Sequence, residues 1–255
     1  VPFTPAHVAA VLPALGDRRP AWAVPAALVV GSMVPDVLYF VPFGDHRALS
    51  HSLRGVLTLD LALGLAFVAL WWVVAAPVLH DLSPRAVRSR TPVPHRPGGR
   101  VWLWAVPGVV LGSLTHLAWD GFTHADGWAV ARWSVLGTTM GGLPLWHLAQ
   151  YVSGLAGVAL VLVRAGRRLA RAPVVEHATP VATPAQRRAA WAVLLAAPVL
   201  GGPALALDAL GAGLHPELLL YLVVVRGVSA FGLASVLVAA AWFLRRATVA
   251  EPRPT

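Results

Sequence analysis

Six segments of about 20 residues, roughly 21–41, 53–76, 101–120, 143–164, 189–207 and 217–244, are nearly free of charge. Each is long enough to carry a helix across the hydrocarbon core of a bilayer. Such runs predict an all-α fold, a polytopic membrane helical bundle of six transmembrane spans. A seventh helical stretch near residues 5–16 is too short to span and is expected as an amino-terminal half-helix. The composition agrees, because 57% hydrophobic and 12% charged residues leave too little polar surface for a soluble domain.

The positive charges orient the spans. Arg18 and Arg19 precede the first; Arg85, Arg88, Arg90, Arg96 and Arg100 fill the second connection; Arg164, Arg167, Arg168, Arg171, Arg187 and Arg188 flank the fourth span; Arg245, Arg246 and Arg253 follow the last. By the positive-inside rule both termini are expected in the cytoplasm of a bacterial inner membrane. No cleavable signal peptide is expected at the amino terminus. The net charge of +9 comes without a single lysine. Confined to a few loops, it reads as a topology signal and an attraction to membrane lipid, with no nucleic-acid role. The chain divides into a four-span domain over 1–164, an Arg/Pro-rich cytoplasmic linker over 165–188 and a two-span hairpin over 189–255. The loops 77–100 and 165–188 are expected to be mobile. Trp71, Trp72, Trp102, Trp104 and Trp242 are expected as anchors at the inner boundary. The hairpin, with Gly201 and Gly202, is expected to supply packing or subunit contacts.

Within this apolar frame, THLAWDGFTH places His116, Asp120 and His124 at i, i+4 and i+8, one face of a helix. Ionisable groups at membrane depth are costly unless paired, hydrated or metal-bound. Counting about 1.5 Å per helical residue from the arginines, Asp36 and His116 both lie near the outer face, about 25 Å up. His46 and His51 occupy the short connection there, and His147 begins the fourth span. A half-helix over 5–16 brings His7 beneath the cluster. With no cysteine in the chain, any metal takes nitrogen and oxygen ligands.

PFTPAH at the start, GSMVPD ending at Asp36, HRALSHS around His46 and His51, and SLTHLAWDGFTH resemble an uncharacterised bacterial membrane family that opens with a PFTPSH-like motif. That family looks like a relative of metal-dependent hydrolases of the inner membrane. The residue order is also similar to bacterial zinc phospholipase C and the single-strand-specific zinc nucleases, helical enzymes that hydrolyse phosphoesters on a zinc cluster. The resemblance covers about residues 2–155. It implies ligand roles for His7, Asp36, His51, His116, Asp120 and His124, with Asp120 bridging two metals. Two departures stand out. Those enzymes end the set with HxxxD, where this chain reads His147 to Tyr151, and they use a free terminal amine, for which Val1 or Pro2 would have to serve.

Simpler readings compete at each position. His116, Asp120 and His124 can form a helix-packing network, Asp36 a helix-end cap after Pro35, and His51 a cap with Ser50 or Ser52. His46 and His147 can touch substrate or stay solvated. Arg47 and Arg132 can bind a substrate phosphate or a lipid headgroup. His80, His95, His177 and His215 are expected in solvent. Asp60 and Arg226, at similar depth, are expected to form a structural ion pair, with a role for Asp60 in orienting a ligand imidazole as the alternative. The functional expectation is hydrolysis of a lipid or lipid-linked phosphoester at the outer face. One or two divalent ions, zinc first, would serve as cofactor, with Asp120 and His116 at the catalytic centre. Metal-ion or proton transport, or a structural metal, are the rival classes; the first calls for ligands spread along a path and a repeated half.

Overall fold

The structure, a computed structural model, describes residues 4–16, 23–41, 46–176, 180–210 and 213–250. Arg18, Arg19, His177, Arg253 and the amine of Val1 or Pro2 lie outside the described residues. The described chain is helical almost throughout. Among the described residues, five helices are long and apolar enough to cross a membrane: Leu59–Leu82, Gly99–Thr123, Leu145–Arg171, Pro184–Leu205 and one beginning at Pro216. Large apolar side chains face outward along them, Leu155, Leu162, Leu200 and Leu237 each more than half exposed, as a membrane protein requires.

The segment expected as the first span takes a different form. Helix α1 covers only Pro25–Gly31, and the chain continues as a 3₁₀ helix over Val34–Phe40. Pro25 suits a helix start because its missing N–H has no intrahelical partner there, whereas Pro35 interrupts the ladder beyond Gly31. Residues Thr4–Leu15 form three short helical turns, the expected half-helix. Helix α2 (Leu59–Leu82) is preceded by a short helix Leu53–Leu57, capped by Ser52 through Gly55 N–H and separated from α2 by Thr58. A π-helical turn at Trp71–Ala75 precedes Pro77 within α2, a widening that accommodates its missing donor.

Helix α3 (Gly99–Thr123) is the axis on which α1 and α2 pack, around Val24, Ala27, Val68, Ala105 and Val109. The α1–α3 crossing is backbone on backbone. A methyl group on Gly31 would collide with the Val109 main chain, and one on Gly112 would lie 2.6 Å from the Ser32 nitrogen. Between α3 and α4 (Leu145–Arg171) the chain makes a two-residue hairpin, Thr139–Met140 against Leu143–Pro144. Gly141 and Gly142 supply its two positive φ angles.

Helices α5 (Pro184–Leu205) and α6 (Pro216–Ala250) form the expected hairpin. Gly202 and Gly227 let the two backbones touch. The hairpin is fastened to the first four helices at both ends. Ser229 donates to the Phe40 carbonyl at one end. At the other, Asp81 accepts from Val181 N–H, Ala182 N–H and the Trp242 indole. Trp242 is therefore buried structure rather than a boundary anchor. Val175 N–H donates to the Ser89 carbonyl, and because α4 runs on to Arg171 and α5 starts at Pro184, the stretch 165–188 is helical at both ends.

Candidate metal centre

Three elements deliver four side chains to one point. Asp36 comes from the 3₁₀ helix that replaces the first span, His51 from the end of the turn Arg47–Ser50, and His116 and Asp120 from the last turns of α3. One donor atom from each lies within 4.8 Å of all the others. His51 Nε2 is 3.4 Å from both Asp36 Oδ1 and Asp120 Oδ2, and His116 Nε2 is 3.4 and 3.5 Å from the same two oxygens. Those separations are long for hydrogen bonds, and neither Nε2 has a hydrogen-bond partner although both are buried. Ligands about 2.0–2.1 Å from a tetrahedral ion stand about 3.3–3.4 Å apart, the spacing found here. The donor set fits a divalent ion better than it fits a hydrogen-bond network.

The opposite side of each ring is fixed. His116 Nδ1 is 2.9 Å from the Ser32 carbonyl, which only accepts, so Nδ1 carries the proton and Nε2 presents its lone pair to the cluster. His51 Nδ1 lies 3.0 Å from Ser50 Oγ. Thr4 donates to Asp36 Oδ2 at 2.6 Å, which turns Oδ1 toward the histidines.

Asp120 faces two ways. While Oδ2 belongs to the set above, Oδ1 is 3.4 Å from His7 Nε2 and 3.3 Å from His124 Nδ1, and it has no hydrogen-bond partner. His7 is buried and stacks on His116 at 3.8 Å, so the amino-terminal turns do carry it to the cluster. His124 arrives otherwise than expected. The helix ends at Thr123, and His124 takes extended backbone at its cap, curling its ring back to Asp120. The side-chain amide of Gln150 from α4 stands 3.0 Å from His124 Nε2 and fixes that ring.

A cavity of about 370 Å³ opens over the cluster, walled by Tyr39, Arg47, Trp119, Trp146, His147, Gln150 and Tyr221. Arg47 bonds to Asp126 and to the Tyr39 hydroxyl, and these Arg47 bonds hold the Asp126 carboxyl below the usual carboxylate range. His147 stacks on Trp146 in the cavity wall. His46 is exposed and lines a neighbouring hollow behind Tyr39 and Arg47. Arg132 is exposed at the end of the turn Trp128–Arg132 and does not line the cavity, so the structure gives it no part in the site.

The expected ion pair between Asp60 and Arg226 does not form. Asp60 is fully buried with neither oxygen hydrogen-bonded, and Arg226 instead donates to the Leu205 carbonyl at the end of α5. Residues without a place in the sequence reading complete the site. Thr4 and Ser32 lie inside motifs already singled out, PFTPAH and GSMVPD, where they carried a signal. Gln150 stands beside His147 in HLAQY, and Tyr221 of α6 offered none.

Residues 1–240 match the model of a family described as Domain of unknown function (DUF4184). The chain belongs to that family. No curated protein and no solved structure matches it.

Proposed function

We propose that the protein is a membrane-embedded, metal-dependent hydrolase of phosphoesters, acting on a lipid or lipid-linked substrate at the outer face of a bacterial inner membrane, with both termini in the cytoplasm. The observation that carries this reading is the split of Asp120, one oxygen turned to His51 and His116 and the other to His7 and His124, at the floor of an open cavity. Asp36, His51, His116 and Asp120 would hold one ion, and Asp120, His7 and His124 a second. Zinc suits this imidazole and carboxylate set without thiolate. Bound metal of this kind supplies Lewis acidity toward a phosphoryl oxygen and acidifies water.

The chain's own residues do the rest. The Ser32 carbonyl keeps the His116 imidazole in one tautomer, and the Ser50 hydroxyl helps to orient that of His51. Tyr39 and Asp126 hold the Arg47 guanidinium at the cavity wall, where its planar donors suit a phosphate. Trp119, Trp146 and Tyr221 limit water at the cavity walls. Every candidate ligand sits at one end of the bundle, which favours hydrolysis over a transport path.

The test is hydrolysis of bis(p-nitrophenyl) phosphate by detergent-purified protein reconstituted with zinc or manganese. Turnover abolished by a chelator and restored by the ion is expected. Metal-replete protein that binds no ion, or that binds it and hydrolyses neither this ester nor phospholipids, would overturn the proposal.

A further inference from the structure

Trp119 separates the metal cavity from a second hollow. Between α3 and α4, with Ala10 from the amino-terminal turns at one side, runs a groove of about 490 Å³ walled by Ala118, Trp119, Phe122, Ala149 and Ser153. Trp119 and Thr123 line both spaces. Along α4 adjacent residues alternate between them: Ala149 and Ser153 belong to the groove, while Gln150 and Gly154 belong to the cavity.

The two spaces differ in chemistry. The cavity carries Arg47, carboxylates and imidazoles. In the groove the hydroxyls are already engaged. Thr115 donates to the Gly112 carbonyl, Thr123 to the Trp119 carbonyl, and Ser153 Oγ accepts the Trp119 indole N–H at 3.1 Å. What remains for an occupant is small alanines and aromatic faces, a surface for hydrocarbon. The groove also lies on two helices long and apolar enough to cross a membrane, near the ends that carry the metal centre, where lipid chains reach it directly. An apolar slot that shares the walls Trp119 and Thr123 with a pocket carrying Arg47 and the candidate metal ligands matches one kind of molecule, an amphiphile with a phosphate head.

We infer that the groove holds a hydrocarbon chain of the substrate, so that a phosphoester lipid enters sideways from the bilayer, its chain between α3 and α4 and its phosphate past Trp119 at the metal centre. This rests on the hydrolase reading above and adds the seat of the lipid chain and its route.

The absence of native cysteine makes the test clean. The variant A149C, purified in detergent, is labelled with N-ethylmaleimide in the presence of dioleoyl phosphatidylglycerol, dihexanoyl phosphatidylglycerol or dioleoylglycerol. At a concentration tenfold above its Kd, a lipid seated in the groove slows labelling about tenfold. Protection by the long-chain phospholipid, with little from the short-chain lipid or the uncharged diacylglycerol, is the expected result. Equal protection by all three, or by none, overturns the inference; A118C on the facing wall repeats the measurement if A149C does not fold. The two readings fail separately. Wild type that hydrolyses bis(p-nitrophenyl) phosphate while A149C and A118C show no selective protection loses the groove and keeps the hydrolase. A wild type without metal or turnover loses the hydrolase whatever the labelling shows.

Discussion

Asp81 and Asp120 are buried carboxylates toward opposite ends of one bundle, 8% and 6% exposed, and they are partnered in opposite ways. Asp81 accepts three N–H groups at 2.8–3.0 Å, two from the backbone at the entrance to α5 and one from Trp242. Its oxygens are satisfied by donors the fold holds in place, and the result is a clamp tying the hairpin to α2. Asp120 is surrounded by imidazole nitrogens at 3.3–3.5 Å, and its Oδ1 has no hydrogen-bond partner. Both carboxylates are similarly buried; what differs is that donors of the fold meet one, while the other faces imidazole nitrogens in a cluster that could hold a metal ion. Burial of a carboxylate alone therefore says little about function, whereas the kind of atom facing it says much.

Four substitutions test this difference. The largest effect belongs to His116→Ala and Asp120→Ala, each expected to abolish metal binding measured by elemental analysis of purified protein. Retention of wild-type metal in both would put Asp120 in the same class as Asp81. Asp81→Asn should do the reverse, keeping the metal while lowering unfolding free energy by about 2–4 kcal/mol in a denaturation series, because the amide turns N–H toward buried N–H donors. A loss under about 0.5 kcal/mol would show that the clamp contributes no more than a surface contact. Gln150→Ala is the finest test. It removes only the group that fixes His124, so metal affinity measured against a chromophoric chelator should weaken about tenfold with the fold intact. No change would place His124 outside the coordination set.

Long apolar runs made the bundle legible from the sequence, and i, i+4 spacing did the same for His116 and Asp120, because both signals are local and periodic. The order of motifs brought in His7, Asp36 and His51. His124 was legible as a residue but not in its pose, since the helix stops one residue short of it. The apolar run 21–41 does not show that its helix stops at Gly31, although Pro35 marks the irregular backbone that follows. Asp60 and Arg226 matched in depth, yet depth along a helix carries no azimuth, and the two side chains take different surroundings. The Asp81 clamp was invisible because its partners are backbone amides and an indole 100 to 161 residues away, which leave no pattern in composition or spacing.

The contact between Gly31 and Gly112 bears on the chemistry of the cluster as well as on packing. Ser32 follows Gly31 directly, and its carbonyl is the atom that orients His116. The distance between two main chains thus sets where an imidazole lone pair points. A side chain added at either glycine would open the crossing and swing that lone pair away from Asp36 and Asp120, altering the cluster from a position that takes no part in it.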